Sequence, residues 1–140
     1  MFIFQVFSVA IIAGLATWFL NHHLQRGPVL ASAVATLVAG LVLPNLLEQG
    51  ATLAAVAACA SYVSMSANIR LRTTLETSAA LILVSVLFIV SADIFVGVGG
   101  KLGTIAAVSV MTVWGCSQAL GAISLQRHGK YVARIYSRIF

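Results

Sequence analysis

Charged residues are scarce in this sequence, with eight Lys and Arg and three Asp and Glu among 140 residues, or 8% in all. The surface of a water-soluble domain normally carries about 25% charged residues, so the composition excludes a soluble globular protein. Hydrophobic residues make up 61% of the chain and its mean hydropathy is +1.06, which also excludes a disordered chain. The sequence is therefore typical of an integral membrane protein.

The motifs of common catalytic and metal sites are also missing. The chain has no HExxH, no CxxC and no Ser, His and Asp grouping, and neither a Walker motif nor a K⁺-filter sequence. His22 and His23 are neighbours, so one helix face cannot present both, and we interpret them as residues of a wet loop. We expect no enzyme activity, no metal and no cofactor. We also expect no nucleic-acid partner, because the cytoplasmic flanks account for the net charge of +5.

Cysteine is rare, and no disulfide is predicted. Cys59 and Cys116 are the only two cysteines. Their predicted depths in the membrane differ by about 9 Å at about 1.5 Å per residue, which is too far for an unforced disulfide. We interpret both as small packing residues.

Long apolar runs fill most of the chain. A helix needs about 20 apolar residues to cross about 30 Å of hydrocarbon, and runs such as 79–90 do not alternate as the strands of a β-barrel would. We predict an all-α transmembrane bundle with five spans, at about 2–20, 28–47, 51–69, 77–98 and 102–125, followed by a basic tail at 126–140. The short connections at 48–50 and 99–101 predict antiparallel hairpins.

The basic residues predict the orientation of the bundle. Five spans place the two ends of the chain on opposite sides of the membrane. With the N-terminus outside, seven of the eight basic residues lie on the cytoplasmic side and only Lys101 lies outside. We expect the inner (plasma) membrane of a bacterium-like cell.

The tail has a helical pattern of its own. Its basic residues recur at spacings of three, four and four: Arg127, Lys130, Arg134 and Arg138. Such a segment can lie at the membrane surface against anionic headgroups. The alternative is a docking site for a cytoplasmic partner or a nucleotide.

Small and polar residues share faces of the predicted spans. The third span carries five of them at helical spacing: Ala54, Ala57, Ser61, Ser64 and Asn68. The second span offers Ser32, Thr36 and Gly40. The fifth span offers Gly103 with Ala107, and Ser109 with Thr112 and Cys116. These faces indicate either close helix packing, within the bundle or between protomers, or a hydrated path lined by hydroxyl groups.

Asp93 is the only acidic side chain within a predicted apolar run. We predict that it shares a helix face with Ser78 and Ser85. An ionisable group in a membrane is costly and indicates an ion or proton site. The alternative is structural pairing with Lys101 across the next turn. That turn belongs to the glycine-rich segment 97–103, which is either a tight turn or a re-entrant stretch.

Five short helices enclose little space, so we expect a homo-oligomer or an association with partner membrane subunits in the lipid bilayer. We hypothesise an oligomeric channel or transporter that moves an ion or a small polar solute. Its candidate path consists of Asp93, Lys101, Ser61, Ser64, Asn68, Ser109 and Thr112. The alternative is an accessory or assembly subunit that transports nothing itself.

Overall fold

All regular structure in the described part of the chain is helical. The computed structural model describes the backbone of 2–24, 27–66, 70–94 and 100–139, and the side chains of 2–21, 27–66, 70–94 and 100–122. Five helices follow one another in these ranges: α1 (Phe2–Leu24), α2 (Pro28–Leu46), α3 (Gly50–Ser64), α4 (Thr74–Val90) and α5 (Lys101–Ile139).

Three of these helices contain stretches long and apolar enough to cross a membrane. The stretches are Phe2–Asn21, Pro28–Leu46 and Lys101–Ala122. This finding supports the prediction of a helical membrane protein. The apolar helices α3 and α4 have 15 and 17 residues, and are therefore about 22 Å and about 26 Å long at about 1.5 Å per residue. Both are shorter than the predicted spans at 51–69 and 77–98.

Helix α3 is the centre of the bundle. It contacts α1, α2, α4 and α5, and ten of its 15 residues are buried. Its Ala and Ser residues explain this position, because small side chains allow neighbouring helices to approach closely. Around it the helices follow the order α2, α1, α4, α5. Within the described ranges α2 and α5 do not contact each other, so one side of α3 stays open.

Glycines make two of the helix contacts close. Gly50 begins α3 directly against the end of α2, where a Cβ atom would collide with the carbonyl of Leu43 and with Pro44. Gly14 of α1 lies against the side chain of Leu81 in α4. Residues 47–49 connect α2 to α3, and the two helices pack side by side. The connection is therefore short, but Gly50, which was predicted to belong to it, is already helical.

Helix α4 has well-defined ends, and the second differs from the prediction. Thr73 and Glu76 form a capping box at its start. The helix ends at Val90, and Ser91, Ala92 and Asp93 form turns. The predicted continuation of the helix is therefore wrong for 91–94. Ser and Asp favour turns because their side chains compete for backbone hydrogen bonds.

Helix α5 is longer than the predicted fifth span. Gly100 precedes it with a φ of +87°, a conformation that favours glycine. The helix then continues without a break from Lys101 to Ile139, past the predicted boundary at residue 125. The backbone of 126–139 is helical, and its side chains lie outside the described residues.

Candidate functional site

A cluster of three hydroxyl groups joins α2 to α3. The Ser61 Oγ lies 2.9 Å from Ser32 Oγ and 3.2 Å from Thr36 Oγ1. It also donates a hydrogen bond to the Ala58 carbonyl at 2.8 Å. A hydroxyl has one proton and two lone pairs, so Ser32 and Thr36 both donate to Ser61. The Ser61 hydroxyl therefore makes all three hydrogen bonds available to it, inside the protein.

The other predicted hydroxyls are also bonded to the protein. Ser64 donates to the Gly14 carbonyl of α1 at 2.7 Å, and both groups are buried. Ser109 is buried and donates to the Ile105 carbonyl at 2.9 Å. Thr112 is exposed and donates to the Val108 carbonyl of its own helix at 2.8 Å. These bonds lead to different partners, so they do not place the hydroxyls along one shared path.

Asp93 and Lys101 lie close in the fold but bond differently from the prediction. The Lys101 ammonium donates to the Ala92 carbonyl at 3.1 Å and to the Ser91 carbonyl. Asp93 is exposed in the turn after α4, so it does not share a helix face with Ser85. Lys101 therefore acts as a C-terminal cap of α4, where a cation is favoured by the helix dipole.

Two predicted features lie outside the described residues in whole or in part. Asn68 is one of them, and residues 97–99 of the glycine-rich segment are the other.

Cys59 is buried in α3 and donates to the Leu102 carbonyl at 3.1 Å, whereas Cys116 is an exposed free thiol on α5. Within the described ranges, no three His, Cys, Asp or Glu side chains converge to hold a metal ion.

A polar contact near the start of α4 was not predicted from the sequence. The Glu76 carboxylate accepts hydrogen bonds from the Ser117 hydroxyl and from the Arg72 backbone N–H, both at 2.6 Å. The Ser117 bond is the largest cause that lowers the pKa of Glu76, and the Arg72 N–H adds to it. The contact fixes the beginning of α4 beside the middle of α5.

The open side of α3 carries two grooves that sequence reasoning also missed. Tyr62, which is 41% exposed, separates them. One groove, between α2 and α3, holds Ser32, Thr36 and Met65 and encloses about 400 Å³. The other, between α3 and α5, holds Met65, Ser66 and Arg70 and also encloses about 400 Å³. The only sequence signal was Tyr62 itself, a large polar side chain in a helix of small residues.

A third groove lies between α1 and α2 and is apolar. Its lining includes Val9, Ala16 and Val38, it encloses about 370 Å³, and none of its lining residues is charged. Such a surface fits the hydrocarbon of a membrane and offers nothing to orient a polar ligand.

No protein-family model matches this chain, and neither the comparison with curated proteins nor that with solved structures found a match. The geometry of the chain itself is therefore the guide to its function. The bonded hydroxyls of α3, the open side beside Tyr62 and the long α5 are the features that bear on it.

Proposed function

We propose that this chain is a five-span membrane protein that acts as an assembly subunit of a larger membrane complex, with no conduit of its own. One observation carries the proposal. In the part of the chain that the structure describes, no buried side-chain nitrogen or oxygen lacks a hydrogen-bond partner. A hydrated path needs polar groups that can exchange bonds with passing water or solute, and the buried hydroxyls are already occupied by the protein.

Contacts at both ends of α4 support five spans. Glu76, near its start, accepts from Ser117, and Lys101 donates to the carbonyls just after its end. Helix α4 therefore runs beside 101–117, which lies within the apolar stretch Lys101–Ala122. That stretch is long enough to cross a membrane, so α4 lies at the same depth.

Contacts at both ends of α3 likewise place it beside α2. Gly50 packs against Pro44, and Ser61 bonds Ser32, so α3 runs beside the apolar helix Pro28–Leu46. Because four helices pack against α3 and only its side beside Tyr62 is open, its short length leaves little backbone facing lipid, where an unbonded peptide group is costly. The basic residues then orient the bundle with its N-terminus outside, its basic tail in the cytoplasm and a bacterial plasma membrane as its location.

The assembly surface is on α5, and its occupant is a second copy of the chain. Helix α5 continues beyond Ser117, and residues 118–122 are exposed on every side of the helix. Gly115 and Ala119, both exposed, are four residues apart. Small residues at this spacing allow two helices to approach closely in a membrane. Cys116 lies next to Gly115 in the chain and is exposed, so a disulfide at this residue would detect contact between two copies of α5.

Oxidative cross-linking in native membranes tests this proposal. We expect a disulfide-linked dimer that needs Cys116, because two copies of α5 would bring this thiol near its symmetry mate. The matched control is Cys116→Ser, in which the buried Cys59 remains and forms no link. Monomers alone at Cys116 and at an engineered Ala119→Cys would contradict the proposal. A link to a different protein would contradict the second copy as the occupant of α5, although it would support a larger complex.

A second candidate function is movement of an ion or small polar solute by the assembled protein. The grooves beside Tyr62 favour it, because Ser32 and Thr36 lie in one and Ser66 and Arg70 in the other. Flux through liposomes that contain the purified protein tests this function. Transport through these grooves predicts flux that falls in Arg70→Gln, because Arg70 lines one of them, whereas an assembly subunit alone gives no flux.

A further inference from the structure

The groove between α3 and α5, here called the α3/α5 groove, has an apolar part and a basic end. Its floor is formed by the buried Ala106 and Val110. Tyr62 of α3 forms one wall, and Met65, Ser66 and Arg70 follow the end of this helix. The groove therefore combines an apolar furrow with a cationic side chain, as the binding site of an amphipathic molecule does.

The apolar part is long and open enough for a hydrocarbon chain. It extends along α5 from Gly103 to Met111, a distance of about 12 Å at about 1.5 Å per residue. Apart from the backbone of its own helix and its chain neighbours, no atom of the described residues lies within 4 Å of the position that a Cβ of Gly103 would take. Ala107, one turn further on, is exposed. These small residues leave a shallow furrow between two helices, a shape that an acyl chain fills.

Within the described residues, no carboxylate forms an ion pair with the basic end. The sequence has three acidic residues. Glu48 lies in the turn before α3 and Asp93 in the turn after α4, at the opposite end of these helices from Arg70. The carboxylate of Glu76 is already bonded by the Ser117 hydroxyl and two backbone N–H groups. The charge of the exposed Arg70 is therefore available to a ligand.

We propose that the α3/α5 groove binds an anionic phospholipid from the surrounding bilayer. The phosphate lies at the guanidinium of Arg70 and the hydroxyl of Ser66, and one acyl chain lies along α5 toward Gly103. The planar guanidinium of an arginine matches a phosphate with two parallel hydrogen bonds. An anionic headgroup carries a net negative charge that attracts Arg70. A zwitterionic headgroup attracts Arg70 less, because its ammonium group offsets the charge of its phosphate. The site requires that the helices cross a membrane, but it does not require assembly through α5.

Native mass spectrometry of the purified full-length protein tests the proposal. The probes are phosphatidylglycerol and phosphatidylcholine with identical acyl chains, each added in mixed micelles. We expect phosphatidylglycerol to bind more tightly to the wild-type protein. Arg70→Gln is expected to weaken its binding about fivefold, which corresponds to the loss of one basic residue near an anionic surface. Arg72→Gln is the matched control, because Arg72 is exposed on the same segment but does not line the groove.

A second variant separates the acyl-chain contact from the charge. Ala107→Phe is expected to block the furrow and weaken phosphatidylglycerol binding while Arg70 is kept, and unchanged helical circular dichroism verifies its fold. Inorganic phosphate is expected not to compete at millimolar concentration. Equal loss in Arg70→Gln and Arg72→Gln, equal binding of both lipids, or full competition by inorganic phosphate would each overturn the proposal. The cross-linking result at Cys116 is independent of all these outcomes.

Discussion

Replacement of Ser61 by alanine tests whether the hydroxyl cluster holds α2 to α3. The change removes the acceptor of two hydroxyl groups, and one of them, Ser32, is 3% exposed. A buried hydroxyl left without a partner costs about 1–3 kcal/mol in water-soluble proteins. Hydrogen bonds between membrane helices contribute about 0.6 kcal/mol on average and about 1.7 at most. We therefore expect the free energy of unfolding to fall by about 1–2 kcal/mol in Ser61→Ala.

The measurement is reversible unfolding in mixed micelles with increasing SDS, followed by circular dichroism. Ser109→Ala is the matched control, because Ser109 is equally buried but bonds only its own helix. We expect this control to change the free energy of unfolding by less than about 0.5 kcal/mol.

The double variant Ser32→Ala with Ser61→Ala is expected to be less destabilised than the sum of the two single variants. Removal of both partners leaves no orphaned hydroxyl at Ser32. Equal effects of Ser61→Ala and Ser109→Ala, or strict additivity in the double variant, would refute the reasoning. Either result would mean that water can replace Ser61 as the hydrogen-bond partner of the Ser32 and Thr36 hydroxyls, as a hydrated path requires.

Two further predictions concern close contacts and pH. Gly50→Ala is expected to lower the free energy of unfolding by about 1–3 kcal/mol, because the added Cβ collides with the Leu43 carbonyl. Gly103→Ala is the control, and we expect it to leave the free energy of unfolding nearly unchanged because its Cβ meets no neighbour within 4 Å among the described residues outside its own helix. The same SDS titration measures both variants. The pKa of Glu76 is held below its ordinary value of 4.5, so its bonds stabilise the fold above that pH and the stabilisation is lost as pH falls through the lowered pKa. Glu76→Gln is expected to flatten this acid dependence, and an unchanged profile would contradict the role of the Ser117 bond.

The composition and the apolar runs were sufficient to predict a helical membrane protein. The start of α2 at Pro28 and the tight connection before Gly50 also follow from local residues, because proline suits a first helical turn and glycine allows close approach. The predicted ends of the third and fourth spans, at 69 and 98, lie beyond the ends of α3 at Ser64 and α4 at Val90. Apolar residues continue beyond α4 as far as 98, but hydropathy does not register the turn preferences of Ser91 and Asp93 that end α4.

The candidate site was only partly accessible to sequence reasoning. Ser61 and Ser64 were placed on one face by their three-residue spacing, yet this spacing rotates a side chain by about 60° around the helix. That rotation directs Ser61 to α2 and Ser64 to α1. The α3/α5 groove needs Tyr62, Met65, Ser66 and Arg70 beside residues of α5 between Gly103 and Met111. A contact between segments so distant in the chain leaves no periodic signal in the sequence.

The central claim is that both short helices, α3 and α4, cross the membrane. Single cysteines in place of Glu48, Arg72 and Asp93, in a Cys59→Ser and Cys116→Ser background, can be labelled with a membrane-impermeant maleimide on intact cells. We predict labelling of positions 48 and 93 from outside, and labelling of position 72 only after the membrane is permeabilised. Labelling of position 72 on intact cells together with position 48 or position 93 would show that α3 or α4 does not cross, and would contradict the account.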